Sequence, residues 1–398
     1  VLQNEENIKK QLSWKKIILP ILIGLGVSVY LLVSDLSKVS FQEALGTEKG
    51  THAWVDSNGN NKVDLSDRSE FIPSEQGAYV AKKTKDVILE YEWSFAAIMS
   101  LFGALFMLVL RDFFYMYRIR VLSNGHLSWR SSFDVIMLWE FASALTPSVV
   151  GGSGVAVFIL NREGMNVGKS TATVMVTALM DELFFILMVP MLFLAVGMDD
   201  LFPDSAAFSA FGANSIKGVF WAGYVVIVLL TSMILLSLIS YPKRTKRILV
   251  GIFSFRLLRR WQKKMAQWGD EMIVSSQELK GQKLGYWSKA FGATIVSWTA
   301  RYFTLNFIFL AFIGGFDHLQ VYGRQLVMWV IMLISPTPGS SGVAELAFSV
   351  FFDYLVPGGL LAIATVLWRF LTYFPYLIAG TIVLPGWLRR TAKRKVKA

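Results

Sequence analysis

The sequence predicts an all-α polytopic membrane protein: about six transmembrane helices plus two re-entrant helical hairpins of opposite orientation, arranged as an inverted repeat. Three observations carry that expectation. Of 398 residues, 54% are hydrophobic and 17% charged, and several apolar runs reach the roughly 20 residues a helix needs to cross hydrocarbon. Two glycine-rich stretches, Thr146-Pro147-Ser148-Val149-Val150-Gly151-Gly152-Ser153-Gly154 and Ser335-Pro336-Thr337-Pro338-Gly339-Ser340-Ser341-Gly342, each interrupt an apolar stretch too short to span comfortably. Irregular backbone is tolerated in a bilayer only where protein or a water-filled cavity satisfies it, so the two breaks mark a polar cavity near the midplane. Third, Lys and Arg cluster beside apolar runs and assign each loop a side.

The same composition excludes other classes. A net charge of +11 would suit a nucleic-acid binder, but the cations flank hydrophobic spans, where anionic lipid headgroups receive them, so no nucleic-acid partner is expected. There is no cysteine, hence no disulfide and no thiolate metal site. His52, His126 and His318 are scattered over loops and form no nucleophile–base constellation, so an enzyme is not expected.

In chain order, residues 1–34 form a cytoplasmic segment and a first membrane helix over Ile17–Ser34, preceded by Lys9, Lys10, Lys15 and Lys16. Residues 35–92 hold eleven acidic and seven basic side chains and read as an extracytoplasmic loop. Residues 93–240 form the first repeat and a connecting helix. In it Trp93–Leu110 returns to the cytoplasm, Phe133–Leu145 and Val155–Leu160 flank the first break as a hairpin entering from the cytoplasmic side, and Ser170–Gly197 leads out to Asp199, Asp200 and Asp204. Val219–Ser240 crosses back.

Residues 241–290 are basic and cytoplasmic. Their Ile248, Leu249, Ile252, Phe253, Phe255, Leu257, Leu258 and Trp261 alternate with arginines, which fits an amphipathic helix on the inner leaflet or a solvated helical linker. Residues 291–398 form the second repeat and a basic tail. Phe291–Ile313 runs outward, Gln325–Ser335 and Val343–Phe352 flank the second break as a hairpin from outside, and Gly358–Leu384 runs inward to Arg389 and Arg390. The expected location is a bacterial inner (cytoplasmic) membrane with both termini cytoplasmic.

Rare intramembrane charges repeat the pattern. Asp181 lies 27 residues after Gly154 and Arg369 lies 27 after Gly342, while Arg111 precedes the first glycine by 43 and Arg301 the second by 41. A charge at the bilayer centre costs at least about 2.5 kcal/mol, so Arg111, Asp112, Asp181, Glu182, Arg301, Glu345 and Arg369 should face a cavity or one another, Arg111 and Asp112 alternatively snorkelling to the interface. Helix restarting after Gly154 and Gly342 would point amide N–H groups at an anion, assisted by Ser153, Thr337, Ser340 and Ser341 hydroxyls and by Arg301 or Arg369, a cradle for a headgroup phosphate. Asp181, Glu182 and Glu345 would meet a cationic group or carry a proton. The alternative for the glycines is close helix packing.

The external segment contains a second motif. Asp56, Asn58, Asn60, Asp64 and Asp67 occupy positions 1, 3, 5, 9 and 12 of a calcium-loop spacing, with Lys62 at position 7, and resemble the dockerin type. A bound Ca²⁺ is one reading and a polar, turn-rich loop the other.

The segment from Glu140 to Gly152, the Asp181-Glu182 pair, and the block Ser335-Pro336-Thr337-Pro338-Gly339-Ser340-Ser341-Gly342-Val343-Ala344-Glu345 resemble the flippase-like family that includes the lysylphosphatidylglycerol synthase transmembrane region. The resemblance covers about residues 93–388. It implies a lipid translocase, in the best-known cases one that moves an aminoacylated phospholipid between leaflets, with membrane lipids that are anionic or phosphate-bearing as partners. The sequence ends at Ala398 without the soluble synthase part, so a stand-alone member is expected. Resemblance and spacing together nominate Glu140, Thr146, Pro147, Gly151, Gly152 and Gly154 at the first break, and Pro336, Thr337, Pro338, Gly339, Ser340, Ser341 and Gly342 at the second, as substrate-binding positions. An ion-coupled carrier of a small soluble solute and a membrane-embedded lipid-modifying transferase are the competing readings.

Overall fold

The computed structural model describes residues 39–44, 49–57, 63, 68–146, 148–203, 215–236, 240–255, 259, 262–332, 337, 340, 342–353, 355–356 and 358–397. The expected first helix over Ile17–Ser34 lies outside them, as do Asn58, Asn60, Lys62, Asp64 and Asp67 of the calcium-type loop and Pro147, Pro336, Pro338, Gly339 and Ser341 of the breaks. Only Asp56 of the loop positions is described, and no cluster of three or more metal-ligating side chains occurs among the described residues.

The polar segment expected as a loop folds into a small antiparallel sheet. Strands β1 (Val39–Glu43), β2 (His52–Trp54), β3 (Phe71–Pro73) and β4 (Tyr79–Lys83) are ordered β1-β4-β2-β3. Phe41 pairs with Ala81, and Ala53 with Ile72. Its core is aromatic: Phe41 stacks on Phe71 at 4.1 Å, Tyr79 packs edge-on to Phe71, and buried Glu70 accepts a hydrogen bond from Trp54 Nε1 at 2.9 Å. Nearby Glu43 and burial hold the Tyr79 phenol above its ordinary range, burial being the larger cause. Helix α1 (Thr84–Glu90) follows, and the Tyr91 hydroxyl then donates to the Ala311 carbonyl, tying this small unit to the membrane body.

The membrane body is helical. Helices α2 (Phe95–Leu122), α3 (Trp129–Leu145), α4 (Ser148–Arg162), α5 (Val167–Ala195) and α6 (Ser215–Leu235) make its first part. After α7 (Pro242–Ile252) and α8 (Gln262–Lys280), the second part comprises α9 (Leu284–Phe312), α10 (His318–Met332), α11 (Val343–Phe352), α12 (Gly358–Thr372) and α13 (Phe374–Lys397). Five stretches among the described residues are long and apolar enough to cross a bilayer: α2, α5, Ile216–Leu235, α9, and Leu360–Ala392 through α12 and α13. The protein is therefore an all-α polytopic membrane protein in its membrane body.

Start signals are local. Ser94, Ser128 and Asn166 stand in extended conformation just before α2, α3 and α5, and their side chains accept from Ala97, Ser131 and Lys169 amides. The expected crossing Gly358–Leu384 overlaps Leu360–Ala392 and carries a one-residue interruption at Tyr373, because Pro375 has no N–H to continue the helix and fits the first turn of α13.

Helices α2 and α9 pack along their lengths, with Gly103 closing on the ring of Phe307. Two helix pairs, α3/α4 and α10/α11, enter from opposite ends of this antiparallel body. The open end of α3/α4 is fixed beside the end of α13: Arg390 bonds Glu163, just past the end of α4, and lies 3.0 Å from Asp134 of α3, while Trp387 Nε1 donates to Glu163 at 2.8 Å. The open end of α10/α11 is fixed at the other extreme, where Arg324 donates to the carbonyls of Phe351 at 2.7 Å and Asp200 at 2.8 Å.

Close approach is what allows α3 to lie on α13. A Cβ placed on Gly380 would fall within the ring of Phe141, which is fully buried. Gly380→Ala is expected to destabilise the protein by about 1–3 kcal/mol through overpacking, read as a lowered unfolding midpoint in detergent.

Candidate functional site

The tips of the two pairs, the middles of α5 and α9 and the C-terminal parts of α2 and α12 line one cavity of ≈ 300 Å³. Ser143, Thr146 and Ser153 reach it from the first pair, and Trp329, Thr337 and Ser340 from the second. Of the charges nominated by sequence, Glu140, Asp181, Glu182, Arg301 and Arg369 line it.

The first break is narrower than the glycine count implies. Thr146 is extended, with φ −106° and ψ 138°, as a residue preceding proline prefers, and helix resumes already at Ser148. Gly151, Gly152 and Gly154 therefore sit inside α4 and do not open it; helix does not restart after Gly154. A Cβ on Gly152 would collide with Ser143 Oγ on α3, so this glycine serves close packing within the pair.

At the second break, Gly342 does stand at the helix start, with φ 86°, a backbone region that side chains with a Cβ rarely adopt. Its amide is not open to an anion, however. Glu345, fully buried, accepts from Gly342 N at 2.7 Å through one oxygen and from Arg369 Nε at 2.8 Å through the other. Glu345 is thus a support behind the cavity wall and not a lining residue, because the helix start and the cation together satisfy it.

Arg111 also lies behind the wall. It is 2% exposed, so it does not snorkel; it pairs with Glu140 at 2.8 Å and Asp112 at 2.9 Å, bonds the Tyr376 hydroxyl, and stacks against the Tyr115 and Tyr376 rings. Asp181 is engaged as well. Arg118 grips both its oxygens, and Trp298 Nε1 donates to it at 2.7 Å. A group held this way has little left to offer a cationic cargo.

Two lining groups differ. Arg301 forms no ion pair among the described residues and rests over the Trp298 ring at 5.3 Å. Glu182 carries one carboxyl oxygen buried without a hydrogen-bond partner among them. In a wall whose other charges are mutually neutralised, these are the groups available to a ligand.

Arg118, Tyr115 and Tyr376 were not nominated by sequence. Arg118 lies eight residues beyond the apolar run Trp93–Leu110, yet it is 4% exposed. Its distance of seven residues from Arg111, with Tyr115 between them, places all three on one helix face and was the available signal.

Residues 84–380 match the family described as lysylphosphatidylglycerol synthase TM region. A curated relative from Archaeoglobus fulgidus, named UPF0104 membrane protein, is 24% identical over 282 residues, covering 67% of this chain and 79% of its own length. No solved structure matches.

Proposed function

We propose that this chain, which belongs to the family of the lysylphosphatidylglycerol synthase TM region, carries a phosphate-bearing lipid headgroup between the leaflets of the cytoplasmic membrane. The observation that supports this reading is Arg301: a cation on the wall of a membrane-embedded cavity, held by a ring face and by no carboxylate among the described residues. Leaving such a charge in hydrocarbon costs at least about 2.5 kcal/mol, and an anionic ligand relieves it. The Ser340 and Thr337 side chains at the second tip supply polar contacts on the same wall.

Size limits what enters. A volume of ≈ 300 Å³ is at the lower end of ligand pockets, enough for a headgroup and too small for two acyl chains, which would stay in lipid. In this mechanism the pairs α3/α4 and α10/α11 act as re-entrant hairpins, and because they enter from opposite ends, loosening one opens the cavity to one side while the other stays closed. The positive-inside rule puts the Arg390 end, beside the basic α13 tail and the basic segment of α7 and α8, in the cytoplasm, and the sheet outside.

Reconstitution into liposomes holding a panel of headgroup-labelled lipids tests the reading. Protein-dependent movement of phosphate-bearing lipids, reduced for a lipid without phosphate, is the expected result. Uptake of a small soluble anion with no lipid movement would replace it with the solute-carrier reading.

A further inference from the structure

Outside the cavity, the surface with least explanation is α7. It starts six residues after Leu236, which closes the α6 crossing, and Tyr241 N donates to Leu236 O at 2.7 Å, so α7 is pinned where the span ends. One face of α7 is used: Lys246 pairs with Asp270 of α8 at 2.5 Å, and its stem lies against Gly269. The other face is apolar and bare. Tyr241, Ile248 and Ile252 follow one another at spacings of seven and four, which is one helical stripe, and Phe255 continues it just past the helix end. Ile248 is 62% exposed and Phe255 70%. Arg244 and Arg247 are exposed on one flank of this stripe, Arg244 leaning over the Tyr241 ring at 4.8 Å.

We propose that α7 is a docking surface for an anionic lipid leaflet, distinct from the cargo cavity and independent of what that cavity carries. The stripe lies opposite α8, so α8 does not cover it, and the turn at Leu236 holds it at the level where hydrocarbon gives way to headgroups. Apolar side chains at that depth enter the acyl boundary, and cations beside them meet lipid phosphates, the pattern of an interfacial helix. The charge complementarity selects anionic lipid: each basic residue near such a surface changes the docked-to-free ratio by about fivefold. A solvated linker has no reason to place three aliphatic and aromatic side chains in a row facing water.

The absence of cysteine makes the test direct, because Ile248→Cys gives the full-length chain a unique labelling point for an environment-sensitive fluorophore. The labelled protein is reconstituted into phosphatidylcholine vesicles with and without about one-third phosphatidylglycerol. With anionic lipid the emission is expected to shift to the blue and to be quenched by lipids brominated on their acyl chains. Raising salt from 0.1 M to 1 M, which shortens the screening length from about 10 Å to 3 Å, should reverse much of the shift, as should Arg244→Glu combined with Arg247→Glu. If the reversed variant does not reconstitute, the salt dependence of the labelled parent decides. A label in water in both vesicle types, or equally buried without anionic lipid, overturns the proposal.

Discussion

Arg301→Gln is expected to cut lipid movement by roughly 10- to 100-fold while leaving insertion and folding intact. The magnitude is that of one hydrogen-bonded contact to a charged group, about 1.5–3 kcal/mol, removed from a site where water does not replace it. The selectivity of the effect follows from the wall. Arg301 has no ion-pair contact among the described residues, Glu140 on the same wall keeps its direct partner Arg111 at 2.8 Å, and glutamine keeps most of the volume beside Trp298. The contrast is Arg118, whose removal would leave Asp181 charged and half-released in the membrane. Initial rates in proteoliposomes, together with an unfolding midpoint in detergent, separate the two. A variant that moves lipid within twofold of the parent at unchanged stability would remove Arg301 from the binding site and with it the main support for the proposed function.

The extent to which the site could be read from sequence differs from residue to residue for physical reasons. Membrane crossing is decided by composition over some twenty residues, so the spans from α2 to α9 were visible as apolar runs. The expectation that the two pairs face opposite ways rests on which flank is basic, and the structure has their open ends at opposite extremes. What a single charge does was not visible. Asp181 and Glu182 are neighbours in sequence, yet helical geometry turns one to Arg118 and Trp298 and leaves the other with an unbonded oxygen. Glycine counts misled at the first break and not at the second. A glycine inside a helix costs only about 1 kcal/mol and can be kept for close packing, as Gly152 is, whereas Gly342 is required by its φ of 86°. The sheet escaped because its strands are three to five residues long, and a few aromatic side chains spread over some forty positions carry its core.

The largest stability effect is expected at Glu345. Glu345→Ala removes the acceptor of both Arg369 Nε and the Gly342 amide, taking from a cation that is 5% exposed and from a helix start the carboxylate they share. Breaking a buried pair from one side costs about 3–5 kcal/mol, much of it the penalty on the charge left behind. Arg369→Ala should cost a comparable amount, since it strands Glu345 in turn. The double variant should then lose less than the sum of the two, with a coupling of about 0.5–3 kcal/mol, because no uncompensated charge remains. Transport need not follow stability. Arg369 lines the cavity and Glu345 does not, so the double variant, although it loses less stability than the two single losses added together, is expected to move lipid no faster than Arg369→Ala alone. Unfolding midpoints and flip rates for the four proteins of the cycle check both statements. Additive losses in stability would show that Glu345 supports the second hairpin through the Gly342 amide alone, and recovery of lipid movement in the double variant would show that Arg369 acts on the hairpin and not on the cargo.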